Sequence, residues 1–328
     1  MKVDLITDAD ALSALQPQWN ALWRRSRSAT AFQSPSWLLP WWAQFGTNCL
    51  RVVAIYARDQ LVGLLPLYIL EENGVRKLLP LGISLSDYID ALVDPDYPNA
   101  SAEMLRSISE IAGWDQCHLP CLRPGAALRE VCCPAPLRDT TSEDEPCSVL
   151  ILPRESTSSL GVLPRITRRK INQARNRAER RGSVEILTGS TSNLDALMDA
   201  LFRLHAQKWR SDGLPEIVVS GPAAAFHRAA ARQFAEQGML RLTALAIGGE
   251  VVAVLYGFLA KGESYAYLIG RNPEFQRESV GTLLLGEAMR AAVKEGAREY
   301  HFLRGREAFK RYWGMTERPN LARTIVRA

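Results

Sequence analysis

Two stretches of this chain share a rhythm that constrains its fold more than any other feature. The first, "LRVVAIYARDQLVGLLPLYILEENGVRKLLPLG", holds three runs rich in Val, Ile, Leu and Tyr, broken by "RDQ" and "ENG". The second, "LRLTALAIGGEVVAVLYGFLAKGESYAYLIG", holds three more, broken by "GGE" and "KGE". Short β-rich runs separated by turn residues read as antiparallel three-stranded meanders. Identity between the two is thin. An ancient internal duplication and a chance likeness of two meanders both fit it.

Helical sequence precedes each meander. Before the first come "ALSALQPQWNALWRRS" and "FQSPSWLLPWWAQFG"; before the second come "SNLDALMDALFRLHAQKWRSDG" and "PAAAFHRAAARQFAEQG". In the third of these Leu194, Leu197, Met198, Leu201 and Phe202 keep the spacing of one buried helix face. The halves meet near "APLRDTTSEDEP", polar and acidic with Pro at both ends. The expected organisation is two domains, 1–152 and 153–328, which suits a chain of 328 residues. The expected class is α/β of the α+β kind, each half a mostly antiparallel mixed sheet flanked by helices.

An apolar share of 47% with 23% charged residues describes a soluble globular protein, and no apolar run approaches the ~20 residues of a membrane span. The start "MKVDLITDADAL" has acids where a secretory leader has basic residues, so a cytoplasmic location is expected. The net charge of +5 suits an anionic small-molecule partner and does not by itself argue for DNA or RNA. Cys49, Cys117, Cys121, Cys132, Cys133 and Cys147 read as free thiols. Their spacing matches no standard zinc pattern, so no metal is expected. The stretch "LPRITRRKINQARNRAERRG" carries Arg165, Arg168, Arg169, Lys170, Arg175, Arg177, Arg180 and Arg181 against Glu179. It reads as a solvated or phosphate-facing helix. No aromatic residue interleaves, so base stacking on RNA is unsupported.

The stretch "PEFQRESVGTLLLGEAMRAAVKEG" poses the functional question. It lies between the strand "ESYAYLIG" and the strand "REYHFL", and its helix opens on the spacing Q-x-x-S-x-G. The first turn of a helix offers unpaired N–H groups and a partial positive charge, a seat for pyrophosphate where side chains are small. Ser279, Gly281 and Thr282 are small, and Arg277 can pair with phosphate. There is no G-K-[ST] of a P-loop, and the meander before the turn excludes the dinucleotide βαβ fingerprint.

Meander, small-residue turn, helix and strand, in that order, resemble the core of the GNAT acetyltransferases. That family's pyrophosphate loop has the pattern [Q/R]-x-x-G-x-[G/A]; Gln276 and Gly281 match it, and Ser279 replaces the first Gly. Across the chain, "AFQSPSWLLPWWAQFG", "LVGLLPLYI", "LGISLSDYIDALV", "RRKINQARNRAERRG", "LHAQKW" and "FLRGREAFKRYWG" look like the CelD-like acetyltransferases of cellulose and exopolysaccharide synthesis, similar in architecture to the Fem aminoacyl transferases. The resemblance implies a degenerate GNAT-like first half and an acyl-CoA-binding second half. It implies direct transfer from acetyl-CoA or another acyl-CoA to an amine or hydroxyl of a small molecule or glycan precursor, in a cleft between the halves. A Fem-type aminoacyl-tRNA-dependent transferase and a degenerate, non-catalytic GNAT pair are the alternatives.

The expected cofactor-binding residues are Ile269, Gly270, Gln276, Arg277, Ser279, Val280, Gly281 and Thr282. A backbone N–H at Ile269 or Gly270 would polarise the thioester carbonyl. The expected catalytic residues are Asp87, in "SDYID", as base, with Lys310 and His301. The role of Lys310 is carried over from a similar "FK" lysine of the Fem-like relatives. His301 stands where the family often has Asp; it reads as a replacement base or as a core histidine. Tyr88, His205, Arg304 and Glu307 are the expected substrate-binding residues. Lys208 and Trp209 share the helix end with His205.

Overall fold

The computed structural model describes the chain except residues 48, 154–159, 212–219, 308 and 328, together with the backbone alone of residues 208–211. Lys208 and Trp209 therefore lie outside the described side chains. The chain divides into two units, one of residues 1–146 and 318–328, the other of residues 147–317.

The elements follow in chain order. They begin with strand β1 (Lys2–Ile6), helices α1 (Ala9–Ala14), α2 (Gln16–Arg25) and α3 (Pro35–Phe45), strands β2 (Leu50–Ala57), β3 (Gln60–Glu72), β4 (Val75–Pro80) and β5 (Leu92–Val93), and helix α4 (Ala100–Glu110). Strands β6 (Gln116–Leu122) and β7 (Leu137–Ile151), helix α5 (Arg165–Arg181), strand β8 (Val184–Thr188) and helices α6 (Leu194–Ser211) and α7 (Gly221–Glu236) come next. The chain ends with β9 (Leu240–Ile247), β10 (Glu250–Ala260), β11 (Glu263–Arg271), α8 (Val280–Lys294), β12 (Glu299–Arg304) and β13 (Thr316–Arg327).

The first unit's sheet runs β1-β2-β3-β4-β6-β13, with β5 also on β3; the second unit's runs β8-β9-β10-β11-β12-β7. Each is antiparallel except for one parallel pair, β4 with β6 and β11 with β12. Mostly antiparallel mixed sheets flanked by helices are thus what both units contain, as expected. The meander turns are two-residue hairpins. Arg58, Asn73, Lys261 and four turn glycines hold the positive φ that such turns require.

Apolar faces set the packing. Met104, Leu105 and Ile108 of α4 are fully buried against Val53, Ile55, Leu65 and Leu67. Leu283, Leu284 and Met289 of α8 do the same against Val252 and Leu255. Each such side chain contributes about 2 kcal/mol. The basic helix α5 is amphipathic after all: Thr167, Ile171, Ala174 and Ala178 are buried at helical spacing and its arginines lie on the other faces. Ile171 approaches Gly286 of α8 so closely that a Cβ there would sit 3.0 Å from it.

Candidate active site

In the second unit, β11 and β12 pair only over Glu263↔Glu299, Ser264↔Tyr300 and Tyr265↔His301. Beyond that point they part. β11 continues to Arg271 along β10, and β12 continues to Arg304 along β7. The edge of β11 that faces β12 then has no strand partner, and its backbone groups border a wedge. Parallel strands that separate inside a sheet need a reason, since each lost ladder bond costs stability.

Part-way along this edge the register skips. Tyr256 pairs with Leu268 and Gly257 with Ala266, so Tyr267 is the extra residue of a β-bulge. Gly257 makes room for it, because a Cβ there would collide with the Tyr265 carbonyl oxygen. A glycine inside an apolar strand is the sequence signal for such a bulge. Across the bulge stands Tyr256, fully buried, its hydroxyl without a hydrogen-bond partner among the described residues. Burial pushes its pKa far above that of a free phenol, so it stays a neutral O–H donor.

The loop at the end of β11 is built from local hydrogen bonds. The Asn272 side chain accepts from Glu274 N–H (3.0 Å), and Ser279 N–H donates to Gln276 O (3.2 Å). Ser279 is left-handed, at φ 54° and ψ 44°. This is the conformation glycine adopts freely and serine adopts at a cost of ~1 kcal/mol. The departure from the family pattern therefore keeps the glycine geometry. Gln276 and Arg277 are exposed, and Thr282 N–H is used by Ser279 O (2.9 Å). The Val280 and Gly281 N–H groups have no acceptor among the described residues. Gly281 is buried, yet its φ is not positive, and a Cβ there would meet nothing nearer than Arg271 Cδ at 3.6 Å and Ile269 Cδ1 at 3.8 Å. Neither backbone nor packing requires glycine, and the small residue leaves the start of α8 open beside its two N–H groups. That cradle fits a pyrophosphate. Helix α5 reaches the loop as well: Arg177 Nη1 donates to Arg277 O at 3.0 Å.

The remaining expected residues fall elsewhere. Ile269 lies beside Gly281, at the α8 end of the wedge, whereas the bulge is nearer its closed end. Gly270 faces α6: a Cβ would stand 2.6 Å from Leu201 O and 2.9 Å from His205 N, so its smallness serves helix packing. His205 is buried there, and burial lowers its pKa to about 4. His301 is fully buried at the closed end of the wedge, against Glu299 (3.1 Å) and the Tyr265 ring, as a core histidine would be.

Lys310 is also buried. Its ammonium donates to Leu303 O (3.2 Å), Arg304 O (2.5 Å) and Gly305 O (3.1 Å), and pairs with Glu307 (2.9 Å). Three donors with that many acceptors leave none for a substrate: Lys310 clamps the loop after β12, with Glu307 and the Arg304 carbonyl as parts of the clamp. In the first unit Tyr88 is buried between Phe32 and the Arg123 guanidinium, and Asp87 is half-buried beside it. The buried carboxylate of "SDYID" is Asp90, which accepts from Ala127 N–H (2.7 Å) and Leu128 N–H (3.1 Å).

Residues 165–311 match the family model described as an acetyltransferase (GNAT) domain. They form a GNAT-type acetyltransferase domain. Among solved structures, FemX superposes on the chain with a TM-score of 0.68 at 12% identity, covering 100% of this chain and 98% of that one. A conserved protein of unknown function from Bacteroides thetaiotaomicron gives 0.65 at 11%, covering 99% and 100%. The C-terminal domain of an Agrobacterium fabrum protein described as a lysylphosphatidylglycerol synthetase gives 0.63 at 12%, covering 95% and 91%. At such identities the likeness is one of fold. No curated protein matches the sequence.

Proposed function

We propose that the GNAT domain binds an acyl-CoA, acetyl-CoA in the first instance, and transfers the acyl group to an amine or hydroxyl of a small molecule or glycan precursor. The observation that carries this reading is the cradle in front of Val280 and Gly281 at the mouth of the wedge between β11 and β12. The Val280 and Gly281 N–H groups, with the positive end of α8, would hold the pyrophosphate. The unpartnered edge of β11 would hold the pantetheine amides. Acyl-CoA supplies the activated thioester. Backbone N–H groups of β11 beside the bulge would polarise the carbonyl and hold the negative charge that develops on its oxygen. The Tyr256 hydroxyl would give its proton to the departing sulfur. On this reading the polarising group lies at the bulge rather than at Ile269 or Gly270.

Among the described residues no helix is long and apolar enough to cross a membrane. A ligand of the native state raises its melting temperature with concentration. Acetyl-CoA is expected to do so, and the absence of any shift at millimolar acetyl-CoA would remove the basis of the proposal. The basic face of α5 keeps a second reading, a Fem-type aminoacyl-tRNA-dependent transferase. Stabilisation by charged tRNA and not by acetyl-CoA would favour it.

A further inference from the structure

A cavity of about 530 Å³ opens beside the loop and is lined by Arg177, Arg180, Arg181, Arg277 and Glu278. The first three share one face of α5, at i, i+3 and i+4. Glu278 approaches Arg181 at 3.8 Å, and no other carboxylate pairs with these arginines among the described residues. Guanidiniums gathered around one carboxylate leave an excess of positive charge. The C-terminal turn of α5 offsets part of the repulsion, but Arg277 belongs to the loop. Glu278 is 9% exposed, and its Oε2 has no hydrogen-bond partner among the described residues. A buried carboxylate oxygen without a donor is costly, so the cavity calls for a donor as well as for an anion. Inorganic phosphate has only its own P–OH to offer Glu278, which would press a second anion against the carboxylate. A nucleoside phosphate supplies both, the phosphate for the arginines and a ribose hydroxyl or base amino group for Glu278.

We infer that this cavity seats the 3′-phosphoadenosine end of the acyl carrier, so that the domain selects 3′-phosphorylated CoA over its dephospho form. The inference rests on the acyl-CoA reading above. It assigns Arg177, Arg180, Arg181 and Arg277 to the third phosphate, apart from the Val280 and Gly281 N–H groups that serve the pyrophosphate.

Calorimetric titration of the full chain with acetyl-CoA and with acetyl-3′-dephospho-CoA tests it without any variant. Loss of the 3′-phosphate is expected to weaken binding about tenfold or more, the scale of a desolvated guanidinium–phosphate contact. The double variant Arg180→Ala/Arg181→Ala is expected to bring the two ligands to similar affinities. Arg165→Ala, on the same helix and outside the cavity, leaves their ratio unchanged. Adenosine 3′,5′-bisphosphate is expected to compete with acetyl-CoA. Equal wild-type affinities for the two ligands would overturn this inference and leave the acyl-CoA reading standing. Failure of both ligands to bind would overturn both. A ratio that survives the double change would place the discrimination elsewhere and overturn the assignment.

Discussion

In each unit an Asx-Pro-acid-aromatic segment follows the meander, Asp94-Pro95-Asp96-Tyr97 in the first and Asn272-Pro273-Glu274-Phe275 in the second. The two are held alike. Asp94 N–H donates to Val62 O and Asn272 N–H to Val252 O, both at 2.8 Å, and each Asx side chain accepts from the N–H two residues on. Val62 and Val252 are themselves the extra residues of matching bulges, two positions into β3 and β10. Even the residues opposite correspond: Gln60 donates to Asp94, while Asn272 donates to Glu250. Shared irregularities of this kind favour duplication over a chance likeness of meanders.

Against that background the differences are informative. From Ala266, paired with Gly257, to Gly270, paired with Val254, the second unit needs only residues 267–269 and their bulge. From Pro80, paired with Leu67, to Leu92, paired with Leu64, the first unit spends residues 81–91. That excursion is the "SDYID" region. It crosses to the neighbouring strand, where Ile89 N–H donates to Cys121 O (3.2 Å), and it buries Tyr88, Ile89 and Ala91. The first wedge is filled by its own chain, whereas among the described residues no such excursion fills the second. The helix starts differ too: α8 begins eight residues after Asn272 behind a left-handed serine, α4 only six after Asp94 behind Asn99 in a right-handed conformation.

The comparison breaks most sharply at the helix starts. Gly281→Asp should weaken acetyl-CoA binding on the order of a hundredfold, through bulk and like charge. Ser101→Asp, at the same position of α4, should change it by no more than about twofold. Calorimetry on both variants decides, and equal losses would undo the distinction between the units. Next comes Tyr256, whose counterpart by register is Pro66. Tyr256→Phe should lower turnover by about tenfold or more with little change in the KM for acetyl-CoA, because it removes a proton donor and no packing. Unchanged turnover would withdraw that role.

Lys310→Met should cost about 3 kcal/mol of stability, read from denaturant melts, because three carbonyls lose a charged donor. If only turnover fell and stability held, Lys310 would return to the catalytic set. The last test concerns the filled wedge. Burial raises the Asp90 pKa from 3.8 to about 6, against the lowering by the Ala127 and Leu128 N–H groups. The folded state therefore holds the proton more tightly than the unfolded one. Stability is fully present below the unfolded value and is lost as pH rises through about 6, by up to roughly 3 kcal/mol. Asp90→Asn should remove that slope. A wild-type stability that rose across this window would contradict a buried Asp90.

Much of the fold was legible in advance. The hairpin signals "ENG" and "KGE" sit at two-residue turns with positive φ, and the β-rich apolar runs around them are the strands of both meanders. The Q-x-x-S-x-G spacing led to the helix start, where Gly281 is held small by neither backbone nor packing. Other roles were misplaced because they depend on distant carbonyls or on register. Lys310 looked available until its ammonium met Leu303, Arg304 and Gly305. Asp87 and Tyr88 looked like a loop over a cleft; the strand register places them in the excursion between β4 and β5, where Tyr88 is buried.

Local patterns settle local structure: alternation, turn glycines and a small-residue helix start are short-range steric and hydrogen-bonding facts, and a sequence states them directly. Which of two equivalent wedges stays open is a different matter. It turns on whether the edge of a third strand is met by its own chain, and on the point where two parallel strands part. Both are set by pairing between residues far apart in sequence, where burial and backbone hydrogen bonds must be satisfied together.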